Sequence, residues 1–300
     1  MAQIPDVAAA YDTCLQLART HYENFPVASF LMPPAARKHI AAFYAFARIA
    51  DDFADEGYRP PADRLMFLED WQRRLDAAAI GQVELKGDTD HIAVFLALTE
   101  TLRVLPADSR TQAHALLSDL LSAFRQDVIK KRYDTWTDML DYCRRSANPV
   151  GRLVLLVNGY RDEVVAQHSD AVCTALQLTN FWQDLGRDWA KGRMYVPLEV
   201  VQTYRAQLDA LDKRRWTPEW RKALSDVGAR TEELFAKGRP VADLVRGRLA
   251  WELRVTWLGG HRILDRLAAA DYDVFSSRPS LTWRDAVTIA AGAIAWRRSA

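Results

Sequence analysis

Apolar residues recur along most of the chain at steps of three and four, the period of one face of an α-helix. Segments such as 88–104 and 107–130 follow this pattern, and the apolar–polar alternation typical of strands is scarce. No Gly/Ser-rich linker, charge block or internal repeat divides the chain. We therefore expect one all-α domain over residues 1–300, built from about ten helices. Its expected breaks are Pro33-Pro34, Gly57 to Pro61, Pro106, Pro149, Gly192, Pro197, Pro240 and Pro279.

The composition is that of an ordinary globular protein, with 49% hydrophobic and 26% charged residues. The net charge is only +1, so the chain lacks the basic field of a nucleic-acid-binding protein, and we expect no nucleic-acid partner. Cys14, Cys143 and Cys173 are far apart and odd in number, which argues against a disulfide framework or a zinc site.

Neither end of the chain has the pattern of a signal peptide or a membrane span. The N-terminus carries two early aspartates and no basic start, and the apolar stretch near the C-terminus is about half the length that a span needs. We expect a soluble, cytoplasmic protein. A peripheral contact with the inner membrane stays open, because the tail ends in Trp296, Arg297 and Arg298.

The segment from His39 to Glu56 predicts a largely buried helix that nevertheless carries several charges. Tyr44, Arg48, Asp51 and Asp55 follow at steps of four, three and four, so they share one helix face. Two carboxylates at this spacing repel each other and need a cation, and Mg²⁺ suits them because it takes oxygen ligands. Alone, such an acid pair is more often a solvated helix end.

A second polar stripe lies in the apolar segment 176–188. Gln177, Asn180, Asp184 and Asp188 follow at steps of three, four and four and supply amide and carboxylate oxygens. If the two stripes face each other across a helical bundle, they form one cation-lined pocket with apolar and aromatic walls. That pocket suits a diphosphate with a hydrocarbon tail, because metal ions help diphosphate to leave and aromatic faces stabilise the resulting cation.

These motifs resemble those of the squalene/phytoene synthases, in which an all-α isoprenoid synthase bundle surrounds a central active-site cavity. The resemblance runs from about Tyr11 to Leu281 and implies a small-molecule prenyl diphosphate substrate. By position, it implies Mg²⁺ ligands at Asp51, Asp55, Asn180, Asp184 and Asp188, with Tyr44 and these four aspartates as catalytic residues. It implies substrate contacts at His21, Asn24, Phe25, Arg48, Tyr142, Asn148, Gln177, Asn180 and Arg278. Its further matches are Asp127, the segment from Tyr142 to Gly151, and Asp271 to Val274.

Three elements depart from the pattern of most family members: Tyr22 to Ser29, Ala147 to Gly151, and Gly259-Gly260. They resemble the branch that acts in bacterial hopanoid and squalene biosynthesis. This implies conversion of presqualene diphosphate to hydroxysqualene by carbocation rearrangement and water capture. The implied pathway partners are the enzyme that makes presqualene diphosphate and a reductase-type enzyme that consumes hydroxysqualene. We hypothesise that Asn24, Asn148 and the absence of a tyrosine at Gly260 admit and orient the water.

Two other functions stay open from the sequence. One is a head-to-head synthase that joins two farnesyl or geranylgeranyl diphosphates, against which the three altered elements count. The other is a non-catalytic assembly factor of the same family. Such a factor would be expected to have lost carboxylates that this chain retains, and four buried acids with no metal role would be costly. A nicotinamide-dependent reductase is not supported, because no strand is followed by G-x-G-x-x-G.

Overall fold

The computed structural model describes residues 5–20, 31–55, 59–85 and 88–297. Within these ranges the chain is helical and has no strand, which confirms the all-α prediction. The helices are α1 Val7–Thr20, α2 Pro34–Asp55, α3 Pro61–Ala79, α4 Thr89–Val104, α5 Ala107–Ile129, α6 Trp136–Ser146, α7 Asn148–Val157, α8 Glu163–Ala190, α9 Leu198–Thr203, α10 Leu208–Asp212, α11 Pro218–Gly238, α12 Val241–Leu244, α13 Gly247–Ala269 and α14 Trp283–Ile294.

The described residues thus form fourteen helices where the sequence predicted about ten. Three of them, α9, α10 and α12, have only four to six residues, too few to show a helical period. Several predicted breaks are helix starts: α2 and α3 begin at Pro34 and Pro61, and α9 begins directly after Pro197. Proline favours the first turn because its fixed φ is already helical and its missing N–H would have no partner there.

The chain divides into two compact units, Met1–Ile129 with Pro149–Asp162, and Lys130–Asn148 with Glu163–Ala300. The single domain over residues 1–300 stays a prediction. No helix among the described residues is long and apolar enough to cross a membrane.

In the first unit, α2 lies at the centre and packs against α1, α3, α4 and α5. Its Phe46 contacts Trp71 of α3 and Phe95 of α4, with ring centroids 5.8 and 6.0 Å away. The Trp71 indole also donates a hydrogen bond to the carbonyl of Phe46 at 3.1 Å. These buried contacts fix the rotation of α2 and therefore the direction in which its polar stripe points.

In the second unit, α8 has the corresponding central place and packs against α6, α10, α11, α12 and α13. Trp182 of α8 is fully buried, and its indole donates a hydrogen bond to the hydroxyl of Thr231 on α11 at 2.9 Å. A buried indole N–H needs such a partner, so this bond sets both the packing and the rotation of α8.

Candidate active site

The stripe on α2 contains one arginine among several acids. The Arg48 guanidinium lies 2.7 Å from the Asp52 carboxylate and 3.8 Å from that of Asp51. Its shorter ion pair is therefore with Asp52. This residue was not among the predicted site residues, although its i,i+4 spacing from Arg48 favours such a pair. Tyr44 and Asp51 are half-buried, and Asp55, at the end of the helix, is exposed.

Asp51 has a strongly perturbed carboxyl group. Burial among protein atoms and the neighbouring carboxylate of Asp55 together raise its pKa to about 7, against the opposing effect of Arg48. The carboxylate of Asp127, buried on α5, acts in the same direction. The Asp51 side chain still keeps 39% of its surface accessible, so the group is deep in the protein yet reachable from solvent. Asp127 was noted in the sequence only as a motif match.

The stripe on α8 consists of the solvent-accessible residues of a helix segment that is otherwise buried. Between Thr174 and Leu185, every residue is buried except Gln177, Asn180 and Asp184, and Asp188 one turn later is also half-buried. The helical period placed these four polar residues on one face, and the structure shows that this face is the one left uncovered.

Asp184 and Arg278 form a direct bidentate ion pair. Arg278 Nε and Nη2 donate to the two carboxylate oxygens of Asp184 at 2.6 and 2.9 Å, and Arg187 approaches the same carboxylate at 3.4 Å. The hydrogen bonds from Arg278 to Asp184 raise the pKa of this guanidinium above its ordinary value. The resemblance assigned Asp184 to the metal and Arg278 to the substrate, whereas the structure joins them to each other.

The loop after α13 carries Arg278 and is anchored to α8. Gln183, which is 5% exposed, donates its side-chain amide to the carbonyl of Pro279 at 2.5 Å. Asp271 and Tyr272 turn the chain with left-handed φ values of 52° and 56°. Gln183 was not predicted from the sequence, because its role depends on a partner 96 residues away.

Tyr142 lies in an aromatic cluster beside the α8 stripe. It is 4% exposed, and its ring centroid lies 5.4 Å from that of Tyr133 and 6.1 Å from those of Phe181 and Tyr195. Phe181 and Tyr195 stack in parallel at 3.7 Å. Phe181 follows Asn180 directly, so the stripe lies next to several aromatic rings, which can stabilise a nearby cation.

The structure changes the interpretation of the altered elements. Asn148 accepts a hydrogen bond from the hydroxyl of Thr174 at 2.9 Å, so its amide oxygen has a protein partner. At Gly260, an added Cβ would overlap Leu176 and lie 3.1 Å from Phe235. These two side chains occupy the space next to Gly260, and the access of water at this position stays a prediction. His21, Asn24 and Phe25 lie outside the described residues.

The donor set fits a divalent cation. Among the described residues, no three His, Cys, Asp or Glu side chains form a preassembled metal cluster. Mg²⁺ needs no such cage, because it commonly binds through one or two carboxylates, water and substrate phosphates. Asp51 and Asp55 supply two carboxylates one helical turn apart, and the pKa of Asp51 is raised first by burial and then by the negative charge of Asp55.

Comparisons with known proteins agree with these motifs. The squalene/phytoene synthase family model matches residues 18–285. A hydroxysqualene synthase of Rhodopseudomonas palustris is 38% identical over 86% of this chain and 84% of its own length. One of Sinorhizobium fredii is 36% identical over 83% and 80%. A 15-cis-phytoene synthase of Synechocystis is 28% identical over 91% and 80%.

A solved structure shows the same fold. The squalene synthase HpnC of Alicyclobacillus acidocaldarius superposes with a TM-score of 0.77 at 38% identity, over 89% of this chain and 95% of that protein.

Proposed function

We propose that this chain, which belongs to the squalene/phytoene synthase family, converts presqualene diphosphate to hydroxysqualene and releases diphosphate. Enzymes of this family act on prenyl diphosphates and generally use a divalent metal ion. The observation that carries the proposal is the 38% identity to a hydroxysqualene synthase over most of both chains. The polar stripes on α2 and α8 supply the chemistry that such a reaction needs.

The proposed Mg²⁺ ligands are the oxygen-bearing side chains of the two stripes. They are Asp51, Asp55, Asn180, Asp184 and Asp188. Bound Mg²⁺ would neutralise the diphosphate and take up the charge that develops as it leaves. Asp51 would hold its ion best when ionised, and a nearby cation would lower the raised pKa of this carboxyl group.

The remaining polar residues of the stripes, together with Arg278, bind and orient the diphosphate in this proposal. Arg48 and Arg278 offer guanidinium groups, which suit phosphate oxygens, Tyr44 offers a hydroxyl donor, and Gln177 offers an amide NH2 group. Arg278 is held by Asp184 in the structure. A divalent ion that bound Asp184 would weaken this pair and make the guanidinium available to the diphosphate.

The reaction balances without a reductant. The carbon–oxygen bond to the diphosphate breaks, and the cyclopropylcarbinyl cation rearranges with opening of the ring. Water then adds to the cation and loses a proton, which gives hydroxysqualene. The rings near Tyr142 can stabilise the positive charge, because aromatic faces attract cations.

A product assay tests the proposal. Purified protein with Mg²⁺ is incubated separately with presqualene diphosphate and with farnesyl diphosphate, without reductant, and the products are identified by mass spectrometry. We expect hydroxysqualene from the first substrate and no product from the second. Presqualene diphosphate formed from farnesyl diphosphate would identify a head-to-head synthase instead, and absence of product from either would favour the assembly factor.

A matched pair of variants links the product to the stripe on α8. Asp184→Asn removes a 15% exposed carboxylate and should abolish product formation. Asp226→Asn is the control, because Asp226 of α11 also forms a bidentate pair with an arginine, at 3.2 and 2.9 Å, away from the stripe. Equal loss of product in both variants would contradict the assignment of Asp184.

The proposal includes the pathway partners and the membrane contact expected from the sequence. The chain would receive presqualene diphosphate from one enzyme and pass hydroxysqualene to a reductase-type enzyme. Both molecules carry long hydrocarbon chains, so exchange with a membrane surface would avoid their transfer through water.

A further inference from the structure

Helix α14 exposes a continuous line of apolar side chains. Trp283, Val287, Ala290 and Ile294 follow at steps of four, three and four and therefore share one face, here called the outward stripe. The exposed fractions are 73% for Trp283, 62% for Val287 and 75% for Ile294. A helix on an ordinary protein surface has polar residues at such positions, and contiguous exposed apolar groups mark an interaction site.

The opposite face of α14 is firmly packed, which keeps the outward stripe in place. Asp285 is 2% exposed and accepts hydrogen bonds from Arg262 and Arg266 of α13 at 3.0 and 2.8 Å. Gly292 faces Leu258 so closely that an added Cβ would lie 3.3 Å from it. A rotation that buried the outward stripe would break these ion pairs, so its exposure is built into the fold.

Positive charges flank the outward stripe. Arg284 lies over the ring of Trp283 at 5.5 Å, and Arg239 lies over that of Trp296 at 4.1 Å. The segments 239–257 and 281–297 contain six arginines and three acids. None of those acids is exposed: Asp285 is engaged with α13, and Asp243 accepts a hydrogen bond from the Trp296 indole at 2.9 Å.

We propose that the outward stripe docks α14 flat on an anionic phospholipid bilayer. Twelve residues make a helix of about 18 Å, too short to cross a bilayer but suited to lie in its interface. An apolar face with a tryptophan and flanking arginines is the composition of interfacial helices. This inference deepens the proposed function and rests on it for its purpose, since the docked protein would exchange hydrocarbon substrates with the bilayer.

Vesicle flotation tests the docking surface. The full chain, without substrate or metal, is mixed with phosphatidylcholine vesicles or with vesicles that also contain about one-third phosphatidylglycerol. We expect flotation with the anionic vesicles, weakened by salt. Trp283→Ser and Ile294→Ser should each lower the partition coefficient about tenfold, because each removes an apolar side chain from the bound interface.

Ile80→Ser is the matched control, because Ile80 is 72% exposed at the end of α3, outside the outward stripe. It should leave flotation unchanged. Wild-type protein that stays unbound with both vesicles, or equal losses for Ile80→Ser and Ile294→Ser, would overturn the proposal. Sedimentation that shows a dimer dissociated by Ile294→Ser, without vesicle binding, would assign the surface to a second copy. Because flotation involves no turnover, its result is independent of the product assay.

Discussion

At the scale of single residues, Asp51 connects burial to the proposed chemistry. A carboxyl group with a pKa of about 7 is only partly ionised near neutral pH, because its surroundings and the acids near it disfavour the charge. A divalent cation would relieve both effects. In the metal-free protein the ionised form of Asp51 is thus disfavoured, and cation binding would reverse this effect. Such behaviour is expected for a site formed by acids that repel each other.

This perturbation predicts a pH-dependent stability of the metal-free protein. The folded state holds a proton on Asp51 up to about pH 7, whereas the unfolded chain loses it near the ordinary value of 3.8. The stabilisation of the folded state by the protonated Asp51 is therefore complete below the ordinary pKa of 3.8. It is lost as the pH rises through about 7. We expect Asp51→Asn to flatten this fall in thermal melting curves recorded with a chelator.

Asp63→Asn, at an exposed acid of α3, provides the control and should keep the wild-type pH profile. Added Mg²⁺ should raise the melting temperature of the wild type more at alkaline than at acidic pH, because only the ionised carboxylate binds the ion. An unchanged pH slope in Asp51→Asn would show that other groups cause the dependence.

At the scale of elements, the loop after α13 is positioned by α8. Asp184 pairs with Arg278, and the adjacent Gln183 binds the carbonyl of Pro279, so neighbouring residues of one helix hold both the side chain and the backbone of the loop. Asp273 closes the loop by accepting hydrogen bonds from the backbone of Phe275 and Ser276, both at 3.1 Å. Two tethers of different kinds restrict Arg278 more than either alone.

Gln183→Leu should therefore raise the KM for presqualene diphosphate about tenfold with a smaller change in kcat, because one buried hydrogen bond that positions Arg278 is lost. In an Arg278→Gln background the same substitution should have little further effect. Gln207→Leu is the control, since Gln207 also donates to a backbone carbonyl, at 3.0 Å, on the exposed surface. Additive losses in the double variant would contradict a role through Arg278.

At the scale of the whole molecule, each of the two compact units carries one polar stripe on its central helix. Helix α2 is the central helix of the first unit and α8 that of the second. In each, a buried aromatic side chain fixes the helix rotation, by the ring contact of Phe46 with Trp71 and by the hydrogen bond from Trp182 to Thr231. If both stripes bind the same substrate, a single added ligand should stabilise both units against unfolding.

We expect that Mg²⁺ with inorganic diphosphate raises the melting temperature of the wild type and that Asp51→Asn and Asp184→Asn each abolish the shift. The double variant should lose no more than either single variant, because both acids would act on the same diphosphate. Asp226→Asn should keep the shift. Two partial losses that add in the double variant would indicate separate binding sites instead.

The sequence by itself determined the helical class, the segments 88–104 and 107–130, and the polar faces of α2 and α8. These features depend on local periodicity, which a single helix expresses without knowledge of its neighbours. Only the tertiary structure decided which groups meet. The pairing of Arg278 with Asp184, the effect of Asp127 on Asp51, and the filling of space at Gly260 by Leu176 all join distant parts of the chain. Packing selects such partners, and spacing along one helix carries no signal for them.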